Sequence, residues 1–168
     1  MTIDNKINFT KHIQTLCKKS NNKISQLIRM RSSMSLTQAK TITNAYILPY
    51  FFYCPLLWMF CFKKENNLVN KVHKRALRTV YENRSLSLQE LLSLDNSVSI
   101  HVRHLQFLMT ETYKSLHHKS PEIMCNLFEL KNRPYHLRGH SLLKLPSAKT
   151  TTHGTNSLIF KASLLWNS

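Results

Sequence analysis

Two-metal phosphoryl transfer needs two or three carboxylates converging on ions roughly 4 Å apart, because the ions must be neutralised and held. This chain has two aspartates, Asp4 and Asp95, and no adjacent acidic pair, so no catalytic residue is assigned. Nine His and four Cys raise the question of zinc, yet there is no close Cys pair and no HExxH helix. The nearest His pairs, His117 with His118 and His101 with His104, read as surface or partner-facing side chains, and no metal is expected. Cys17, Cys54, Cys61 and Cys125 lie far apart in apolar or helical surroundings and read as reduced structural thiols. Spacing alone leaves a Cys-His nucleophile open, but Cys54, Cys61 and Cys125 have the settings of core residues. Two glycines are few for loops that cradle phosphates or turn many hairpins. Rossmann, P-loop and all-β readings are disfavoured, and neither a cofactor nor a small-molecule substrate is implied.

The positive signal is charge. Lys and Arg total 24 against 8 Asp and Glu, a formal +16 with His neutral, and a folded domain this basic usually meets a polyanion. The cations run along the whole chain, so they belong to its body rather than to an arm. From Glu65 to Tyr81 they are sorted: Leu68, Val69, Val72, Ala76 and Val80 fall on one helical face, and Lys71, Lys74, Arg75 and Arg78 line the other. Such a stripe is often a plain solvated face. Here the acids that normally intersperse it are missing, since Glu65 and Glu82 stand only at the segment's ends. Phosphate contact is the preferred reading, with Lys18, Lys19 and Arg103 as further candidates. Tyr81, Tyr113 and Tyr135 could stack on bases, though core packing is the simpler use of each.

The elements that must carry these residues are helical. Ile13, Leu16, Cys17, Ile24, Leu27 and Ile28 form one stripe of a helix capped by Thr10 and flanked by Lys11, Lys18 and Lys23. Ser35 with Gln38 is a capping box that opens a second helix toward Leu48, and Ser87 with Glu90 opens a short one that ends at Asp95-Asn96. Val98, Val102, Leu105, Met109, Tyr113 and Leu116 predict a longer helix, and Ser120-Pro121-Glu122 starts another through Phe128. Residues 2–9 alternate weakly, as a short strand would. From Lys131 the periodicity fades, and a last apolar stretch runs from Leu158 to Trp166. The expected fold is mainly α: a helical bundle with a short N-terminal extended segment and an irregular or extended C-terminal tail. The domains are 1–130, helical, and 131–168, irregular.

Residues 41–62 contain no charge and raise a membrane reading. The dense part, Ile47 to Phe62, is 16 residues, short of the ~20 that a bilayer core requires, and Pro49 and Pro55 interrupt it. A buried helix broken at the prolines is preferred, with Phe51, Phe52, Leu56, Leu57, Trp58 and Phe60 in the core. The first residues lack the apolar run of a signal peptide, so the default location is cytoplasmic or nuclear.

Several runs of residues carry a resemblance. Thr2-Ile3-Asp4-Asn5-Lys6 to Phe9-Thr10-Lys11-His12-Ile13, Tyr53-Cys54-Pro55-Leu56 to Trp58-Met59-Phe60, and Asn70 through His73-Lys74-Arg75-Ala76-Leu77-Arg78 to Tyr81 resemble the region after the palm in reverse transcriptases of jockey-type non-LTR retrotransposons. Ser99-Ile100-His101 with Arg103 and Gln106, Ser120-Pro121 with Ile123-Met124 and Phe128, Tyr135 with Leu137-Arg138, and His153-Gly154-Thr155 with Ser157 and Trp166 follow in the same order. The resemblance spans nearly the whole chain. It implies a thumb-like module of an RNA-directed DNA polymerase, whose partners would be RNA and RNA-DNA hybrid backbone and the palm domain of the parent enzyme. The palm with its paired aspartates would lie upstream of Met1, and the end at Ser168 suggests a fragmentary copy of an element. The competing readings are a decayed product that folds poorly without its palm, and a small protein anchored in a membrane by residues 41–62.

The scarcity of carboxylates predicts that the purified chain extends no primer on an RNA template with magnesium or manganese. Metal-dependent extension that survives repurification and disappears in Asp4→Asn or Asp95→Asn would overturn this.

Overall fold

The computed structural model describes residues 9–60, 63–131 and 142–168; residues 2–8 of the expected strand over 2–9, Cys61 and Tyr135 lie outside them. The fold is mainly helical, and the chain divides into two compact units, Met1–His104 and Leu105–Ser168.

In the first unit α1 spans Thr10–Met30 and α5 spans Lys63–Tyr81. The first buries His12, Ile13, Leu16, Cys17, Ser20, Ile24 and Leu27, the second Glu65, Val69, Val72, His73, Ala76, Leu77 and Val80. Both sets recur at three, four and seven, so each helix turns one stripe inward. The expected end of the first stripe, Ile28, is 47% exposed. Thr10 is not a cap either: it is the first helical residue, Phe9 holds the cap position without a side-chain bond, and the Thr10 hydroxyl donates to Glu65 Oε1 at 3.0 Å. Three cross-links set the direction of the pair. Thr10 meets Glu65, Asn21 and Ser25 meet Arg75, and Arg31 meets the carbonyl of Val80. Numbers rise together on both helices, so α1 and α5 are parallel.

A parallel pair obliges the intervening chain to travel back about 30 Å, the length of α1 at 1.5 Å per residue. After a 3-10 turn at Arg31–Ser33, α2 (Leu36–Ile42) begins that return under the expected capping box. Ser35 Oγ accepts from the Gln38 N–H at 3.3 Å, and Gln38 Oε1 accepts from the Ser35 N–H at 2.9 Å. A π-helical turn, Thr43–Ile47, leads to α3 (Pro49–Phe52) and α4 (Pro55–Trp58). Each proline opens its helix, where the absent N–H costs nothing. The link between them is Cys54, left-handed at φ 46° and exposed rather than a core thiol.

Phe51, Trp58, Ile47, Leu48 and Met59 are buried, joining Ile13, Ile24, Val72 and Ala76 in the core, while Phe52, Leu56 and Phe60 are half-buried. Leu57, expected inside, is 54% exposed. A four-residue helix turns only one side inward, and in α4 that side carries Pro55 and Trp58. Among the described residues no helix is long and apolar enough to cross a membrane.

The unit continues with α6 (Leu88–Asp95), which closes its capping box through Ser87 and Glu90 and ends at Asn96, left-handed at φ 50°. Next comes α7, Ile100–Leu116, which runs on into the second unit. The face it buries is not the expected one. Ile100, His104, Leu108, Thr112 and Ser115 are buried, whereas Val102 and Tyr113 are exposed and Leu105, Met109 and Leu116 half-buried. The polar members of that face are satisfied close by: Thr112 and Ser115 donate to the carbonyls of Leu108 and Glu111, each at 2.8 Å. Hydroxyls bonded to their own helix can be buried, which a count of apolar residues does not register.

The second unit adds a single turn, α8 (Glu122–Cys125), shorter than expected, and an antiparallel bridge between Leu130 and Leu143. Its tail holds α9, Leu158–Trp166, capped by Ser157, so the last apolar stretch is helical rather than irregular.

Trp58→Ala should lower the unfolding free energy by roughly 3–5 kcal/mol, whereas Leu57→Asp should cost less than about 1 kcal/mol. Urea melts followed by circular dichroism test this. Equal losses in the two variants would contradict the orientation of α4.

Candidate nucleic-acid interface

The expected basic stripe lies on α5, but its four cations are not equivalent. Lys71 is exposed and Lys74 half-buried, and neither is ion-paired among the described residues. Arg75 reaches across to α1, donating from Nη1 to Asn21 Oδ1 at 2.7 Å and from Nη2 to Ser25 Oγ at 3.2 Å. Arg78 donates from Nε and Nη2 to the carbonyl of Leu86 at 3.3 and 3.0 Å. The stripe is therefore not a purely solvated face: through Arg75 it borders a seam with α1, and through Arg78 it is tied to the chain before α6, so two of its members hold the fold together.

Lys18 belongs to the same seam. It stands three residues before Asn21 on α1, as Lys71 stands four before Arg75 on α5, so helical register puts both on the side where those partners meet. Lys19 lies off this line and near His12, whose imidazole is held below its ordinary pKa by burial and, to a lesser degree, by the charge of Lys19. Arg103 is on the other side of α5. It lies 5.6 Å from the Phe52 ring and, with His73, Leu77 and Val80, borders a gap of about 10 Å³. The seam and Arg103 do not form one surface.

Two arginines that the periodicity did not single out join the C-terminal end of the seam. Arg31 and Arg84, with Arg75, Arg78, Ile28 and Glu82, line an open cleft of about 430 Å³. Arg31 follows the last turn of α1, and Arg84 lies in the turn after α5. No stripe on either helix includes them; only the parallel pairing brings them together.

The two described aromatic candidates, Tyr81 and Tyr113, have partners within the fold. Tyr81 donates its hydroxyl to Asp95 Oδ1 at 2.7 Å and carries Lys40 5.1 Å from its ring centre, and Lys40 pairs with Asp95 at 3.0 Å. Burial pushes the Asp95 carboxyl up, but the bonds from Tyr81 and Lys40 outweigh it and hold the pKa below the ordinary value. Asp95 thus ties α2 to α6. Tyr113 is exposed against the His117 ring at 4.2 Å.

Among the described residues no group of three His, Cys, Asp or Glu could hold a metal ion. His104 is buried, its Nε2 2.7 Å from the Phe51 carbonyl and its ring edge-on to Trp58 at 4.9 Å. His101, His117 and His118 are exposed. Burial pushes the Cys17 thiol up to about 11, which suits a packing role. Cys125 is half-buried and donates to the Ser120 carbonyl at 3.2 Å.

Compared with protein-family models, with curated proteins and with solved structures, the chain matches none.

The back of α5 generates a pH prediction. His73 is pushed down to about 4, first by burial and then by the nearby charge of Arg103, and burial lowers His12 and His104 as well. A depressed imidazole stabilises the fold fully above its unfolded pKa of about 6.5 and loses that contribution as pH falls toward the folded value. Stability should therefore drop between about pH 6.5 and 4, with His73 accounting for about 3 kcal/mol. His73→Leu should flatten the profile. A wild-type unfolding free energy that is constant from pH 7 to 4.5 would refute the assignment.

Proposed function

We propose that the α1–α5 seam binds the phosphate backbone of nucleic acid, and that the chain is a thumb-like fragment of a retrotransposon RNA-directed DNA polymerase gripping RNA or an RNA-DNA hybrid. What carries the reading is how the seam's charge is held. Arg75 and Arg78 are anchored by an amide, a hydroxyl and a carbonyl, all neutral, and Lys71 and Lys74 meet no carboxylate within ion-pair distance among the described residues. Glu90 lies near enough to Lys74 to feel its charge, yet its carboxylate is spent on the Ser87 cap. Neutral anchors orient a guanidinium without cancelling its charge, so the seam keeps a field that a polyanion can neutralise. The resemblance to the region after the palm of jockey-type reverse transcriptases supplies the partner, a template and primer duplex. Backbone contact of this kind positions without reading bases.

Lys71 and Lys74 test the reading better than Arg75, whose loss would also remove its bonds to α1. Replacing both by Ala should weaken binding to an RNA-DNA hybrid by a similar factor whatever its sequence. The slope of log affinity against log salt should shrink by about two, roughly one per lost cation. The helix should persist, because Ala is a good helix former. Filter binding across a salt series measures both quantities. Wild-type affinity and slope in the double variant would remove nucleic acid from this seam.

A further inference from the structure

The C-termini of α1 and α5 end side by side because the helices are parallel, and the cleft between them collects four guanidinium groups, Arg31, Arg75, Arg78 and Arg84, against one carboxylate, Glu82. Part of that charge has a structural use. Each helix C-terminus carries about half a negative charge, and Arg31 answers it directly, donating to the Val80 carbonyl from Nε at 3.0 Å and Nη2 at 2.8 Å, and from Nη1 to the Met34 carbonyl at 2.7 Å. Glu82, its side chain 61% exposed, stands 3.4 Å from Arg31 Nη2. Subtracting one charge for Glu82 and about one for the two helix ends leaves a surplus of about two positive charges.

The donors are as informative as the charge. Arg31 has spent most of its five N–H donors on the fold, with a bond from each nitrogen. Arg78 has spent Nε and Nη2 on Leu86, so it is held in place while Nη1 stays unused. Arg75 is held by its two terminal nitrogens and keeps its Nε–H. Arg84 makes no hydrogen bond or ion pair among the described residues and has its whole fork available. A carboxylate brings one charge and two oxygens to a single fork. A phosphate monoester brings close to two charges and three strong acceptor oxygens, which matches a surplus of about two and donors on three arginines. Ile28, 47% exposed, gives the cleft one apolar wall.

We infer that this cleft is a binding site for a doubly charged phosphate group. The inference goes beyond the proposed function, because a phosphodiester backbone offers one charge per phosphate and the lysines of the seam do not select one phosphate over another. The group has two sources of the same chemistry: the 5′-terminal phosphate of a nucleic acid, or a small phosphate compound.

Titration calorimetry of the full chain with inorganic phosphate at pH 7.5, ionic strength matched with chloride, tests the site. Saturable one-site binding is expected, weakened roughly tenfold or more in Arg84→Gln and in Arg78→Gln. Arg84→Gln should melt like the wild type, since it breaks no bond of the fold, and so keeps the test clean if Arg78→Gln unfolds. Absence of saturable binding, or unchanged affinity in folded Arg84→Gln, would overturn the inference. One single-stranded oligonucleotide, with and without a 5′-phosphate, then separates the sources. Tighter binding of the phosphorylated form that vanishes in Arg84→Gln assigns the cleft to nucleic-acid ends; equal binding of the two forms, with phosphate binding intact, assigns it to small phosphate compounds. Replacing Lys71 and Lys74 by Ala should leave inorganic phosphate binding unchanged, so a failure of the seam and a failure of the cleft give different results.

Discussion

When two helices pack parallel, their dipoles align and their like ends meet, and the chain that joins them must run back the full length of a helix. The α1–α5 pair imposes all three conditions on the first unit. The return path is built from α2, a π turn, α3 and α4, and its two prolines sit where short helices begin, so an otherwise apolar stretch is divided into pieces that can wrap the pair. Phe51 and Trp58 are the largest side chains these pieces deliver to the core. The π turn widens the backbone just before Pro49, where a regular α turn would press the proline ring against a carbonyl.

The same arrangement explains the distribution of charge. Two C-terminal ends in one place concentrate unpaired carbonyls, and arginine answers them with several directed donors at once. Arg31 bonded to Val80 and Met34, and Arg78 bonded to Leu86, are joints between elements as well as charges. The carbonyl partner of Arg78 is neutral and leaves its cationic field in place, whereas Glu82 offsets part of the charge of Arg31. Lys40 and Asp95 show the opposite solution, a compensated pair beside Tyr81 that holds α2 to α6 and adds little field.

Much of the local structure was legible in the residues. Both capping boxes form as their spacing predicts, Asp95-Asn96 ends α6, and the stripes of α1 and α5 point inward except at Ile28. The errors have specific causes. On α7 the count of apolar residues chose Val102 and Tyr113 over a face containing His104, Thr112 and Ser115, because a hydroxyl bonded within its helix or an imidazole on a carbonyl can be buried and a hydropathy pattern does not see the bond. Leu57 and Cys54 were expected inside because they belong to an apolar run. In four-residue helices a run has no single face, and half of it points outward.

The sequence by itself determined the helical class, the two capping boxes and the cationic face of α5, since each depends on residues three or four apart and on the periodicity of one helix. It also determined that the chain holds only two aspartates, which is a matter of composition. Only the tertiary structure decided that α1 and α5 run parallel, and so that Lys18 joins Lys71 along one seam, that Arg31 and Arg84 share a cleft with Arg75 and Arg78, and that Arg103 stands apart from them. Those relations join residues about fifty positions apart. The chain reveals such a neighbourhood only once buried faces have chosen their partners, because packing, not spacing, sets the direction in which one helix lies on another.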